Sequence, residues 1–237
     1  LAASGVASRR TCEQLIAGGQ VTVDGKVITQ MGFKVDPWKQ KIAFGGQTIR
    51  PPRLVTLLLN KPKRVITTTR DDRNRKTVMD LLEGIDQRVY PVGRLDWESE
   101  GLLIMTNDGE LANLLTHPRY GVPRTYHAIV KGSLSPAILE KLRKGVWLSE
   151  GKTGPIKVLI KKREREFCVI EVTVKEGMNR EVRRVFARFG LKVSKLKRIK
   201  VGPLSLETLP VGAFRVLSPR EVEGLRSAAL RSAEERD

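Results

Sequence analysis

An α+β fold built on a mixed, mostly antiparallel sheet is predicted by three features of this chain. Strand-like and helix-like stretches are interleaved along its length. Many of the links between them are hairpin-like, whereas parallel neighbours need long crossovers. The texture also changes at Leu54, where a small leading unit gives way to longer apolar runs.

The leading unit spans residues 1–49. Ser8 can cap a helix through Arg9, Cys12, Leu15 and Ile16, and Gly18-Gly19 stops it. Val21–Val23 reads as a short strand, and Asp24-Gly25 is a hairpin turn leading into Lys26-Val27. Further short strands are expected at Gly32–Val35 and Lys41–Phe44. Arg50-Pro51-Pro52-Arg53 breaks regular structure and serves as a linker, residues 50–53.

The second unit, residues 54–220, opens with Leu54–Leu59, a continuous apolar run suited to a strand covered on both faces. Thr67–Lys76 is expected as a loop and Thr77–Leu82 as a short helix. Gly101–Thr106 is another buried strand, and Asn107 with Glu110 has capping-box spacing for a helix ending near His117-Pro118. Tyr126–Val130 alternates like a strand, and Pro136–Lys144 reads as helix. Pro155–Ile160 and Phe167–Val174 are strands about a charged turn. Val182, Val185, Phe186 and Phe189 mark one face of a helix over 179–189. Lys192–Val201 returns to strand, and a charged helical tail follows, residues 221–237.

Charge narrows the function. The 237 residues carry a formal +18, which favours a polyanionic partner because neutralising phosphates releases counterions. No basic helix with an aromatic face points to a membrane surface, and no apolar run reaches the ~18 residues of a span. Two distant cysteines, Cys12 and Cys168, fit a reducing compartment rather than a disulfide framework. His117 and His127 are too few and too poorly spaced for a zinc site or a histidine triad, so no metal is expected. The chain opens on Leu1, from which a missing leading segment is expected; a targeting peptide there would be invisible.

The charge is uneven. From Lys175 to Lys200 ten basic residues face two acidic ones, whereas from Asp80 to Glu110 eight acidic residues face two basic ones. The polyanion-facing surface is therefore expected at the ends of the second unit, with the acidic segment folded against it. Within that acidic segment, Gly93-Arg94-Leu95-Asp96 sets a carboxylate beside a guanidinium in a polar turn. Such an acid in so basic a chain suggests chemistry on a polyanion rather than adhesion alone.

Ala7-Ser8-Arg9-Arg10 followed by Leu15–Val27 resembles the S4 RNA-binding domain, its leading helix cut short. The resemblance implies that Arg9 and Arg10 face RNA phosphate. Gly93–Asp96, Gly101-Leu102-Leu103, Thr106–Gly109, Arg124-Thr125-Tyr126, Glu176–Arg184 and Val201–Leu204 resemble, in order, the pseudouridine synthases of the RsuA/RluB type. That likeness implies an S4 domain followed by a pseudouridine synthase catalytic domain that isomerises a uridine of ribosomal RNA without cofactor. The Asn179–Arg184 block lies closer to the large-subunit members.

By the same resemblance Asp96 is the catalytic aspartate, Tyr126 stacks on the uracil and Arg183 is the basic partner of Asp96. The carboxylate could act as nucleophile at C1′ or as base at C2′, and both routes stay open. Arg94 either contacts phosphate or fills the gap left by an extruded base. Arg124, where the family commonly has lysine, and Arg180 and Arg184 are further RNA contacts. The implied partner is ribosomal RNA or a pre-ribosomal particle, met by a monomer in the bacterial cytoplasm, or in an organelle if a targeting peptide has been removed. An RNA-binding assembly factor with secondary catalysis is the alternative, and a transfer-RNA substrate a third.

Overall fold

Ser8 opens the first helix, α1 (Arg9–Ala17), its hydroxyl accepting the Thr11 amide at 3.2 Å. In the computed structural model, which describes residues 1–234, that helix closes at Gly18 and the left-handed Gly19. β1 (Val21–Val23) and β2 (Lys26–Val27) form the expected hairpin. Asp24 and Gly25 both hold positive φ, as a two-residue turn of type I′ requires. The Asp24 carboxylate accepts the Lys41 amide at 2.8 Å and so ties the turn to β3 (Ile42–Phe44). With β4 (Gln47–Ile49), these strands make an antiparallel sheet in the order β2-β1-β3-β4 over buried Cys12, Val21, Val23 and Ala43.

One expectation fails in this unit. Gly32–Val35 forms no strand, and Phe33 and Val35 are exposed. Their alternation meets no neighbouring ladder, and β4, reached through the Gly45-Gly46 turn, takes the edge instead. Residues 1–55 together with 85–88 form this first compact unit.

Residues 56–84 and the chain from 89 onward form the second. It begins with β5 (Thr56–Lys61), buried at every position, then β6 (Tyr90–Val92), β7 (Glu100–Thr106) and α2 (Gly109–Thr116). Next come β8 (Arg124–Lys131), α3 (Pro136–Arg143) and the small pair β9 (Trp147–Leu148) and β10 (Gly151–Lys152). β11 (Lys157–Arg163), β12 (Phe167–Val174), α4 (Glu181–Ala187) and β13 (Lys192–Val201) follow. β14 (Leu204–Ser205), β15 (Phe214–Val216) and α5 (Pro219–Glu234) complete it.

The main sheet runs β11-β12-β8-β13-β7-β5-β15, with β14 on β13 and β6 on β7. β13 and β7 run parallel and the other pairings of this sheet antiparallel, giving the mixed, mostly antiparallel sheet expected. Two cores flank that parallel seam. In one, Val182, Val185 and Phe186 of α4 and Leu142 of α3 pack on Val130 and Ile170. Phe186 is fully buried, so its truncation to alanine should cost about 3–5 kcal/mol. In the other, Leu111 and Leu115 of α2 and Leu225 of α5 pack on Leu58, Leu102 and Ile104.

Two readings shift here. The cap of α2 is Asp108, which accepts the Glu110 and Leu111 amides, rather than Asn107. The charged C-terminal segment is no free tail through residue 234: Leu225 and Ala229 are fully buried, and Arg226 pairs with Asp108 and Glu110. Residues 235–237 lie outside the described residues.

Candidate active site

One row of register partners crosses the second unit's sheet and lays out the site. Lys61 on β5 pairs with Gly101 on β7, Gly101 with Arg198 on β13, and Arg198 with Tyr126 on β8. Gly101 has φ 107°, and a Cβ there would sit 2.2 Å from the Arg198 carbonyl oxygen, so only glycine admits the close parallel approach. The turn 93–99 directly precedes β7, and its Asp96 carbonyl accepts from Lys61 of that row at 3.3 Å.

The turn is pinned from beneath. Thr67 Oγ1 donates to the Leu95 carbonyl at 2.8 Å and accepts the Leu95 amide at 3.3 Å. Lys61, wholly buried, spends its amine on the carbonyls of Pro62, Asp96 and Ser99 at 2.9–3.3 Å. Burial pulls that amine down to about 8, against the opposing pull of Asp96. A buried cation bonded to three carbonyls works as a strut rather than as a titrating group in solvent.

Above the turn lies a cleft of about 150 Å³, lined in part by Arg94, Asp96, Tyr126, Arg180, Glu181 and Arg198. That is below the roughly 300–1,000 Å³ of clefts for drug-sized ligands and suits a single flat base. Tyr126 is half-buried there, and Arg94 is exposed at the lining. Arg198 is buried and donates from Nε to the Leu102 carbonyl at 2.7 Å.

Arg180, rather than the expected Arg183, makes the ion pair with Asp96, its Nη1 3.4 Å from the carboxylate. Arg180 caps α4 with a left-handed backbone, φ 47° and ψ 33°, a conformation that costs a non-glycine residue about 1–3 kcal/mol and clusters at functional sites. The guanidinium of Arg183 is drawn away by the Val193 carbonyl at 2.8 Å. Burial lowers its affinity for a proton, while Glu98 and Asp96 act on it through space in the opposite sense.

Two expected RNA contacts are also spent internally. Arg184 donates to Glu150 at 2.6 Å, Ser149 at 2.7 Å and the Asn179 carbonyl at 3.0 Å, so its charge is already neutralised. Arg124 is a wall of the cleft, donating to the Leu115 carbonyl at 2.9 Å, and burial and the charge of Arg198 depress its pKa. Arg9 and Arg10 remain exposed at the start of α1. Lys61, Arg198 and Glu181 were not among the expected site residues. Glu181 is buried, accepts the Gly177 and Met178 amides, and is pushed up to about 7 by burial and then by the charge of Glu176.

A carboxylate held in a narrow cationic cleft, with an aromatic ring in the same lining, marks an α+β enzyme acting on nucleotides rather than an adhesion module. Residues 55–188 match the family model of RNA pseudouridylate synthases, and residues 1–37 that of the S4 domain. A ribosomal large subunit pseudouridine synthase B of Bacillus subtilis is 46% identical over 97% of this chain and 94% of its own length. An uncharacterised RNA pseudouridine synthase of Aquifex aeolicus is 41% identical over 96% and 92%. A crystal structure of a pseudouridylate synthase, 24% identical, shares the fold at a TM-score of 0.68 over 92% and 94% of the two chains. The chain belongs to the RNA pseudouridylate synthase family.

Proposed function

We propose that the chain isomerises one uridine of large-subunit ribosomal RNA to pseudouridine, with Asp96 as the reacting group. The observation that carries this is the placement of Asp96 in one base-sized cleft with Tyr126, in contact with Arg180. The reaction breaks the N1–C1′ bond, turns the uracil and joins C5 to C1′; the C5 proton is lost and N1 gains one. Asp96, kept anionic and aimed by Arg180, attacks C1′ or removes the C2′ proton. Tyr126 holds the detached ring by stacking, at roughly 1–3 kcal/mol. Arg94, exposed at the cleft, either meets phosphate or fills the space of the extruded base.

Arg183 keeps its charge coupled to Asp96 through space. The preference for the large subunit is supported by the name of the Bacillus relative. Arg9 and Arg10 supply phosphate contacts from the leading unit. We further propose that the protein acts as a monomer on RNA or a pre-ribosomal particle in the bacterial cytoplasm. Its two buried free thiols suit a reducing compartment, and no helix among the described residues is long and apolar enough to cross a membrane.

The test compares wild type with Asp96→Asn for pseudouridine in large-subunit RNA and for RNA affinity. Loss of the modification with binding intact supports the reading; retained modification would return the protein to the assembly-factor alternative. Deuterium at C2′ then separates the two routes, because only proton removal there gives a primary isotope effect.

A further inference from the structure

Next to the Asp96 cleft lies a wider groove of about 560 Å³. Lys63, Arg64, Lys131 and Lys192 line it together with Trp97, and Glu98 is the acid in that lining; Arg183, bonded to the Val193 carbonyl, is a fifth cation there. The first four cations are exposed, and none of them has an ion-pair partner among the described residues. Lys131 and Lys192 are direct register partners on β8 and β13, and like charges set opposite one another destabilise a sheet unless an anion joins them. Glu98 does not serve, since its ion pair is with Arg180 at 3.9 Å. Trp97, 44% exposed, offers a ring beside these charges.

A ring among unpaired cations is the composition of a single-strand site, where bases stack and phosphates are neutralised. Asp96 and Trp97 are consecutive, the first lining the cleft and the second the groove. A strand whose target base enters the Asp96 cleft can then run on along the groove past Trp97.

We propose that this groove takes the nucleotide adjoining the target uridine, with its base on Trp97 and its phosphates on Lys63, Arg64, Lys131 and Lys192. The inference rests on the isomerase reading and adds a residue that selects or orients the flanking sequence.

Trp97 reports on it directly once Trp38 and Trp147, both exposed, are replaced by phenylalanine. In that background with Asp96→Asn, which prevents turnover, pentauridylate is titrated while Trp97 fluorescence is followed. Quenching is expected, whereas tripolyphosphate, which has no bases, should compete at low salt without quenching. Lys131→Gln with Lys192→Gln should weaken pentauridylate about tenfold, equivalent to ~1.4 kcal/mol, and flatten the salt dependence by about 0.7 per lost contact. Trp97→Ala should raise KM for ribosomal RNA about tenfold at nearly constant kcat, and Trp97→Phe should restore it. Absence of quenching, or quenching indifferent to the two lysines, overturns the groove even if ribosomal RNA is still isomerised. Quenching in the Asp96→Asn background, where the protein with Asp96 intact modifies no ribosomal RNA, sinks the isomerase reading and leaves an RNA groove standing.

Discussion

Arg9 and Arg10 hold their charges in water, whereas Lys61, Arg124 and Arg198 hold theirs inside the protein against backbone carbonyls. The same residue types thus do two kinds of work. An exposed guanidinium contributes affinity that salt screens within about 10 Å at 0.1 M. An interior cation is screened by salt far less, and removing it strands the carbonyls it satisfied, at about 1–3 kcal/mol each. The difference teaches that net charge describes how strongly RNA is held, while geometry at the cleft depends on cations spent on backbone carbonyls.

That contrast can be broken or sharpened experimentally. The largest effect is expected from Asp96→Asn: turnover falls by about 10³-fold or more while RNA affinity stays within roughly threefold, read from single-turnover rates and filter binding. Lys61→Met comes next. It removes the strut beneath residues 96 and 99, and kcat should fall about 10²-fold, as misplacement of a reacting group by ~1 Å commonly does. Thermal unfolding run alongside must still show a cooperative transition, and full activity would mean that the turn holds itself.

Arg180→Ala should lower kcat about tenfold through loss of the ion pair. Arg180→Gly should lose the same activity yet melt higher than the alanine variant, because glycine accepts the left-handed backbone. Arg183→Ala losing more turnover than Arg180→Ala would restore Arg183 as the principal partner of Asp96. Replacing both Arg9 and Arg10 by alanine should leave kcat alone and reduce the salt slope of binding by about 1.4.

The smallest effect concerns Glu181. Its carboxyl rises from the ordinary 4.5 to about 7, so between those values the native state keeps a proton that the unfolded chain has released. Stability contributed by this group therefore falls as pH rises from about 4.5 to 7. Glu181→Gln should melt like wild type near pH 4.5 and higher than wild type above pH 7, and parallel melting curves across that range would refute the assignment.

What was legible in the sequence follows the same division between local and distant causes. The Ser8 cap, the Asp24-Gly25 turn and the apolar face of α4 depend on residues within a few positions of one another, and they appear where expected. The Gly32–Val35 strand fails because pairing needs a neighbour that alternation alone does not reveal. Asp96 and Tyr126 could be picked out through a family pattern. The exchange of Arg183 for Arg180 could not, since it turns on the backbone twist at residue 180 and on a carbonyl at Val193. Lys61 was hidden for another reason: a lysine ending an apolar run looks like a solvent-facing terminus until its amine is taken up by the next carbonyl and by two from the distant turn at 96–99.

The bare Cα of Gly101 joins two halves that each have an interior of their own. A bulkier residue there would wedge β7 from β13, yet Phe186 and Leu111 would keep their packing on either side. Such a protein would lose stability through the strained backbone at residue 101 and the parted seam. Its acid and its tyrosine would also fall out of alignment, so catalysis should suffer beyond what the lower melting point accounts for.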